Sequence, residues 1–156
     1  MKNVTLLAGW GLAAGMIVST GYAYAGACGH DVHGASTYEV TQLGENTYYA
    51  HYFSPATIIM DDASDPRHRA FGECRGQAVV IDGVANWTGA CIWKRADSAG
   101  EYVAHWTSTP SDKGVEKREA LHGRARFVGS GSLAFLTGRT AKWTGLANGG
   151  SYFCDD

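Results

Sequence analysis

Gly72-Glu73-Cys74-Arg75-Gly76-Gln77-Ala78-Val79-Val80-Ile81-Asp82-Gly83-Val84-Ala85-Asn86-Trp87-Thr88-Gly89-Ala90-Cys91-Ile92-Trp93 decides how the chain is built. Two β-prone runs flank Asp82-Gly83. Asp-Gly between apolar runs is the signature of a two-residue type I′ hairpin loop, which needs φ > 0 at both central positions. With that loop, Ile81 faces Val84, Ala78 faces Trp87, Gly76 faces Gly89 and Cys74 faces Cys91. Counting outward from the turn makes Cys74/Cys91 a non-hydrogen-bonded pair, with Cα atoms roughly 4.5 Å apart. That is within disulfide range. The same register sets Gly72 against Trp93 and Ala78 against Trp87. Small residues opposite indoles suit a tightly curved, concave sheet face. A longer loop taking in Val84-Ala85 would slip this register.

Outward from the hairpin, the cysteines bound the compartment. Four cysteines follow a segment that reads as a secretory signal: Lys2, an apolar stretch from Val4 to Val18, and Ala23-Tyr24-Ala25 as a cleavage site. Ala25-Gly26-Ala27 is a second such site, just before Cys28. Lipoprotein processing at Cys28 lacks the usual Leu three residues before it, where Ala25 stands. The apolar stretch is short of the ~20 residues a membrane span needs. The expected organisation is a signal peptide over 1–25 and one exported domain, periplasmic or extracellular, over 26–156, with no transmembrane segment in the mature chain. An even cysteine count in that setting favours disulfides. Of three connectivities, the hairpin favours Cys74–Cys91 with Cys28–Cys154. No CxxC redox or zinc spacing is present.

About eight short β-prone runs follow one another at intervals of roughly 8–12 residues, the pattern of a sandwich or barrel. They include Thr37–Leu43, Thr47–Phe53 (which Pro55 ends), Thr57–Met60, Glu101–Thr107, Leu121–Val128 and Gly138–Trp143. Residues 26–36 read as a loosely ordered arm. The whole chain carries a formal net charge of −2, so no global basic field speaks for nucleic acid. His30-Asp31-Val32-His33 has two ligand types but no third group, and Asp61 to Asp65 lacks the Gly and Glu of a calcium loop. No metal and no cofactor are assigned. Gly129-Ser130-Gly131 lacks the Lys-Ser/Thr of a phosphate loop.

Leu121–Trp143 (LHGRARFVGSGSLAFLTGRTAKW) resembles the closing segment of allene oxide cyclase/dirigent-like barrels. There an aromatic-Val strand, a Gly-rich turn, a short apolar-aromatic turn, Gly and a final strand follow one another. Gly72-Glu73-Cys74, Gly89-Ala90-Cys91-Ile92-Trp93 and Asp97-Ser98-Ala99-Gly100 match motifs of small exported bacterial proteins of that kind. The chain departs at Ser130 (Thr in the pattern), at Ser132 (often basic) and in lacking Asp-Gly-Asp at 97–100. The resemblance covers residues 72–154. It implies an all-β fold: a single antiparallel, disulfide-bonded β-barrel of about eight strands, calycin- and allene-oxide-cyclase-like. No catalytic residue carries over, and fold alone does not choose a function.

The best expectation is a barrel binding a small hydrophobic or aromatic ligand. Trp87, Trp93, Tyr102 and Trp106 would line it, with His51 and His105 as polar contacts. An alternative is a structural or interaction protein of the envelope, contacting partners through loops 61–69 and 108–119. A further alternative is a barrel-type cyclase or isomerase whose acid/base groups come from His51, His105, Glu101 or Arg75. That reading requires at least two of them to converge in one pocket.

Overall fold

A computed structural model describes residues 29–112, 120–146 and 149–155. It contains nine strands: β1 (His30–Gly34), β2 (Thr37–Gln42), β3 (Thr47–Ile59), β4 (Phe71–Ile81), β5 (Val84–Lys94), β6 (Gly100–Ser108), β7 (Leu121–Gly131), β8 (Thr140–Leu146) and β9 (Gly149–Cys154). A short 3-10 helix, Ala134–Leu136, precedes β8. Each strand pairs antiparallel with the next from β2 to β9. β1 then pairs with both β9 and β3 and closes the sheet. The result is an eight-stranded antiparallel barrel with β2 as an extra strand on β3.

The central hairpin stands as the sequence dictates. Asp82 and Gly83 both have positive φ, 49° and 80°. Ile81 pairs Val84, and the ladder runs without a slip to Phe71/Lys94. Cys74 and Cys91 are opposite each other, Cα atoms 3.9 Å apart, and are disulfide-bonded. Cys154 is also disulfide-bonded. Its expected partner Cys28, the expected signal peptide over 1–25 and both cleavage sites lie outside the described residues.

Two local expectations are corrected. Residues 29–36 are not a loose arm, because His30–Gly34 is the strand that closes the barrel, with His30 and Val32 buried. Pro55 does not end a strand either; β3 runs through it to Ile59. On that edge β2 pairs with β3 as far as Phe53, and β1 takes over at Ala56. Pro55 sits at the handover, where the edge has no ladder partner and a missing N–H costs little. Strand alternation also separates the two N-terminal histidines, His30 being buried and His33 exposed.

One end of the barrel is capped. Leu133 and Leu136, flanking and ending the 3-10 helix, are fully buried there, as is Ala70. The loop between β3 and β4 crosses the same end. It is held by Arg67, 3% exposed, whose guanidinium donates to both carboxylate oxygens of Asp65 at 2.9 and 2.6 Å. The other end carries the hairpin turns at 43–46 and 82–83 and the connection from β6 to β7.

Inside, bulky rings lie against bare backbone. Trp93 and Tyr102 are paired across β5 and β6, between Gly72 on β4 and Gly129 on β7. Each buried ring of this size removes roughly 200 Å² from water, about 5 kcal/mol of gross hydrophobic stabilisation.

Candidate functional site

The interior contains two aromatic groups with different exposure. Near the capped end, Trp93, Tyr102 and Phe127 are at most 1% exposed. His30 stacks on Tyr152 with ring centroids 4.7 Å apart, and His30 Nε2 and the Tyr102 hydroxyl are 2.9 Å apart. Burial drives the Tyr102 and Tyr152 phenols well above their usual range, so both stay protonated. Together with Ile58, Leu133 and the Cys74–Cys91 disulfide, these residues fill that half of the barrel. Trp93 and Tyr102, expected to line a ligand site, are part of this filling.

Toward the other end lie Tyr38 on β2, Tyr52 on β3, Trp87 on β5, Trp106 on β6 and Trp143 on β8. Tyr52 meets Trp87 and Trp106 edge-on at 6.3 and 5.7 Å. Trp106 meets Trp143 at 5.6 Å, and Tyr38 meets Trp87 at 6.0 Å. Trp87 and Trp106 are nearly buried, while Tyr38, Tyr52 and Trp143 are half-buried. The rings have room because the neighbouring inward positions are small: Gly76, Ala78, Ala85, Gly123 and Ala125. Edge-to-face contacts leave ring faces available to a further planar group.

Few polar groups accompany these rings. The Trp143 indole donates to the Thr107 carbonyl at 3.2 Å, and the Trp87 backbone N–H donates to Ser108 Oγ at 2.8 Å. Among the described residues the buried Trp106 Nε1–H has no hydrogen-bond partner, and neither has the Trp93 Nε1–H in the filled half. Burial, then the neighbouring Tyr38, raise the Tyr52 phenol above its ordinary range. Tyr38 is raised by burial, against a hydrogen bond with Ser36. The group is therefore uncharged and apolar, and the Trp106 indole N–H is its buried donor without a partner among the described residues.

Of the expected lining residues, Trp87 and Trp106 belong to this group. His51 and His105 do not. Both are exposed, because each alternates with an inward-facing ring or alanine on its strand. His51 packs edge-on against Tyr49 on the outer wall. Glu101 and Arg75 are also exposed, the first 3.9 Å from Lys94 and the second bonded to Glu73 at 2.8 Å. None of the four enters the interior, so the acid/base set of a barrel-type cyclase or isomerase does not assemble. Tyr38, Tyr52 and Trp143 were not anticipated. Trp143 had a usable signal, since Gly123 opposite it repeats the small-against-indole pairing of the central hairpin.

Neither a family model, nor a curated protein, nor a solved structure matches the chain.

Proposed function

We propose that the protein is an exported binding barrel that takes a small, planar, apolar or aromatic ligand at its aromatic end. The observation that carries this reading is the five-ring group of Tyr38, Tyr52, Trp87, Trp106 and Trp143. It is left partly exposed at one end of a barrel whose other half is filled and capped. Apolar pockets with a few placed polar groups are the usual form of small-molecule sites. Here the unpartnered indole N–H of Trp106 would orient a ligand acceptor, and the edge-on rings would sandwich its plane. The motif resemblance to allene oxide cyclase/dirigent-like barrels is compatible with this reading and adds no catalytic residue.

Tryptophan emission titrated with uncharged planar probes such as 2-naphthol tests the proposal. Saturable quenching with a Kd below ~100 μM, weakened about tenfold in Trp87→Ala, supports it. Absence of saturable quenching across the panel counts against it.

A further inference from the structure

The outer wall of β6–β8 has a composition that neither folding nor the aromatic end accounts for. β7 directs His122, Arg124 and Arg126 outward, β6 directs His105 outward and β8 directs Lys142 outward; all five are exposed. The ladder sets His105 directly opposite Arg126 and Arg124 directly opposite Lys142. Like charges facing one another across a ladder, as Arg124 and Lys142 do, destabilise a sheet. The chain as a whole is acidic, at −2, so the patch does not reflect a surplus of basic residues.

Elsewhere Arg67 is matched with Asp65, Arg75 with Glu73, Lys94 with Glu101 and Arg95 with Asp97, while among the described residues Arg139 donates only to the Phe135 carbonyl. On this wall Arg124 pairs with Asp155, which also accepts from the Thr140 hydroxyl at 2.9 Å. Among the described residues, Arg126 and Lys142 have no carboxylate within 4.0 Å. Between the strands lies an open depression of about 340 Å³. Thr88, His105, Thr107, Arg124, Arg126 and Thr140 line it, with Gly89, Trp106 and Ala125 between them.

We propose that this depression binds a multiply charged oxyanion, a phosphate or sulfate group carried on a soluble molecule. Arginine presents a planar fork of donors suited to such oxygens. Threonine hydroxyls add short-range donors. Arg124 and Arg126 of β7 line the depression with His105 of β6 beside them, and Lys142 of β8 stands next to it, opposite Arg124. Trp106 borders this depression and also belongs to the aromatic group, but Arg126 and Lys142 point outward and are not part of that group, so variants at these two positions test this site separately from the aromatic end.

The test is an amide NMR titration of the full chain with inorganic pyrophosphate at low ionic strength. The expected result is saturable shifts confined to β6–β8, with a half-saturation of about 1 mM that rises with added salt. Arg126→Gln and Lys142→Gln should each raise that midpoint about tenfold, while Arg75→Gln on β4 leaves it unchanged. All three side chains are exposed, and the dispersion of the same spectra reports whether each variant is folded. Non-saturable shifts, or equal midpoints in wild type, R126Q and K142Q, would overturn the proposal. So would binding seen only with anionic phospholipid vesicles, which would place the partner on a membrane.

Discussion

Gly76 and Trp106 are fitted to each other across the inside of the barrel. A methyl group on Gly76 would lie 2.6 Å from Cη2 of the Trp106 indole and 2.9 Å from Cζ2 of the same ring. The indole reaches from β6 over Gly89 of β5 to Gly76 of β4 and occupies space that these two glycines leave empty, which is how one wall of a narrow barrel accommodates the side chains of another. Gly76→Ala should therefore cost about 1–3 kcal/mol through overpacking. Trp106→Phe in the same chain should recover part of that loss, so the two changes are non-additive in a double-mutant cycle. Urea midpoints of the four proteins measure it. Additive losses would mean that the two residues do not share the space.

The hairpin bond offers a second check. Cys74 and Cys91 are 17 residues apart in sequence. In the chain-entropy view a loop of that size contributes about 3 kcal/mol by restricting the unfolded chain. Cys74→Ala with Cys91→Ala should lower unfolding stability by about 2–4 kcal/mol. The Asp82-Gly83 turn should persist, because its positive φ angles suit those two residues whether or not the bond is made. Denaturant midpoints, together with the amide pattern of β4 and β5, distinguish a weakened barrel from a slipped register.

The tryptophan-rich hairpin was legible from the sequence because its information is local. Turn residues, strand parity and the opposing cysteines all lie within 72–93, and each agrees with the others. The closing strand was not, because the inward positions of His30–Gly34 are His, Val and Gly, which carry no clear apolar alternation. Pro55 reads as a break only if β3 has one neighbour along that edge, whereas it has two in succession. For the candidate site, parity separated His105 from Tyr102 and Trp106. The sequence did not reveal that one half of the barrel is filled. That depends on His30 and Phe127 meeting Tyr102, on Tyr152 meeting those two rings, and on Leu133 and Leu136 folding under the end. Tyr38 and Trp143 join the other group for the same reason, through contacts more than 30 residues apart along the chain.

The buried ion pair at the capped end should be unequal in its response to mutation. Asp65 is partly buried, which would raise its carboxyl. The Arg67 hydrogen bonds outweigh this and hold it below its ordinary value. Its stabilising contribution is thus fully present above the unfolded carboxylate value and is lost as pH falls from there through the lower folded value. Asp65→Ala leaves the guanidinium of Arg67 buried without its partner and should cost about 3 kcal/mol. Replacing both residues by apolar ones should cost less. Thermal unfolding of the single and double variants decides between these outcomes.

Alkaline pH should destabilise the barrel through its tyrosines. Tyr38, Tyr52, Tyr102 and Tyr152 all have phenols raised by burial. Unfolding releases them to ionise near pH ~10. Above that pH the unfolded chain binds fewer protons than the folded one, so stability falls as pH rises. Below it, this contribution is fully present. Urea midpoints between pH 8 and 11 should show a decline that begins near the phenol range, with delayed tyrosinate absorbance in the folded protein. A flat profile would place the four phenols in contact with water.

The interior divides into a filled half and a partly exposed aromatic end, and the proposal is that only the second takes a ligand. The indole N–H signals of the protein test this directly in a titration with an uncharged planar probe such as 2-naphthol. Trp87, Trp106 and Trp143 should shift together and saturate, while Trp93, fully buried beside Tyr102, should stay in place. Shifts that include Trp93 equally, or no saturable shift at any indole, would contradict it.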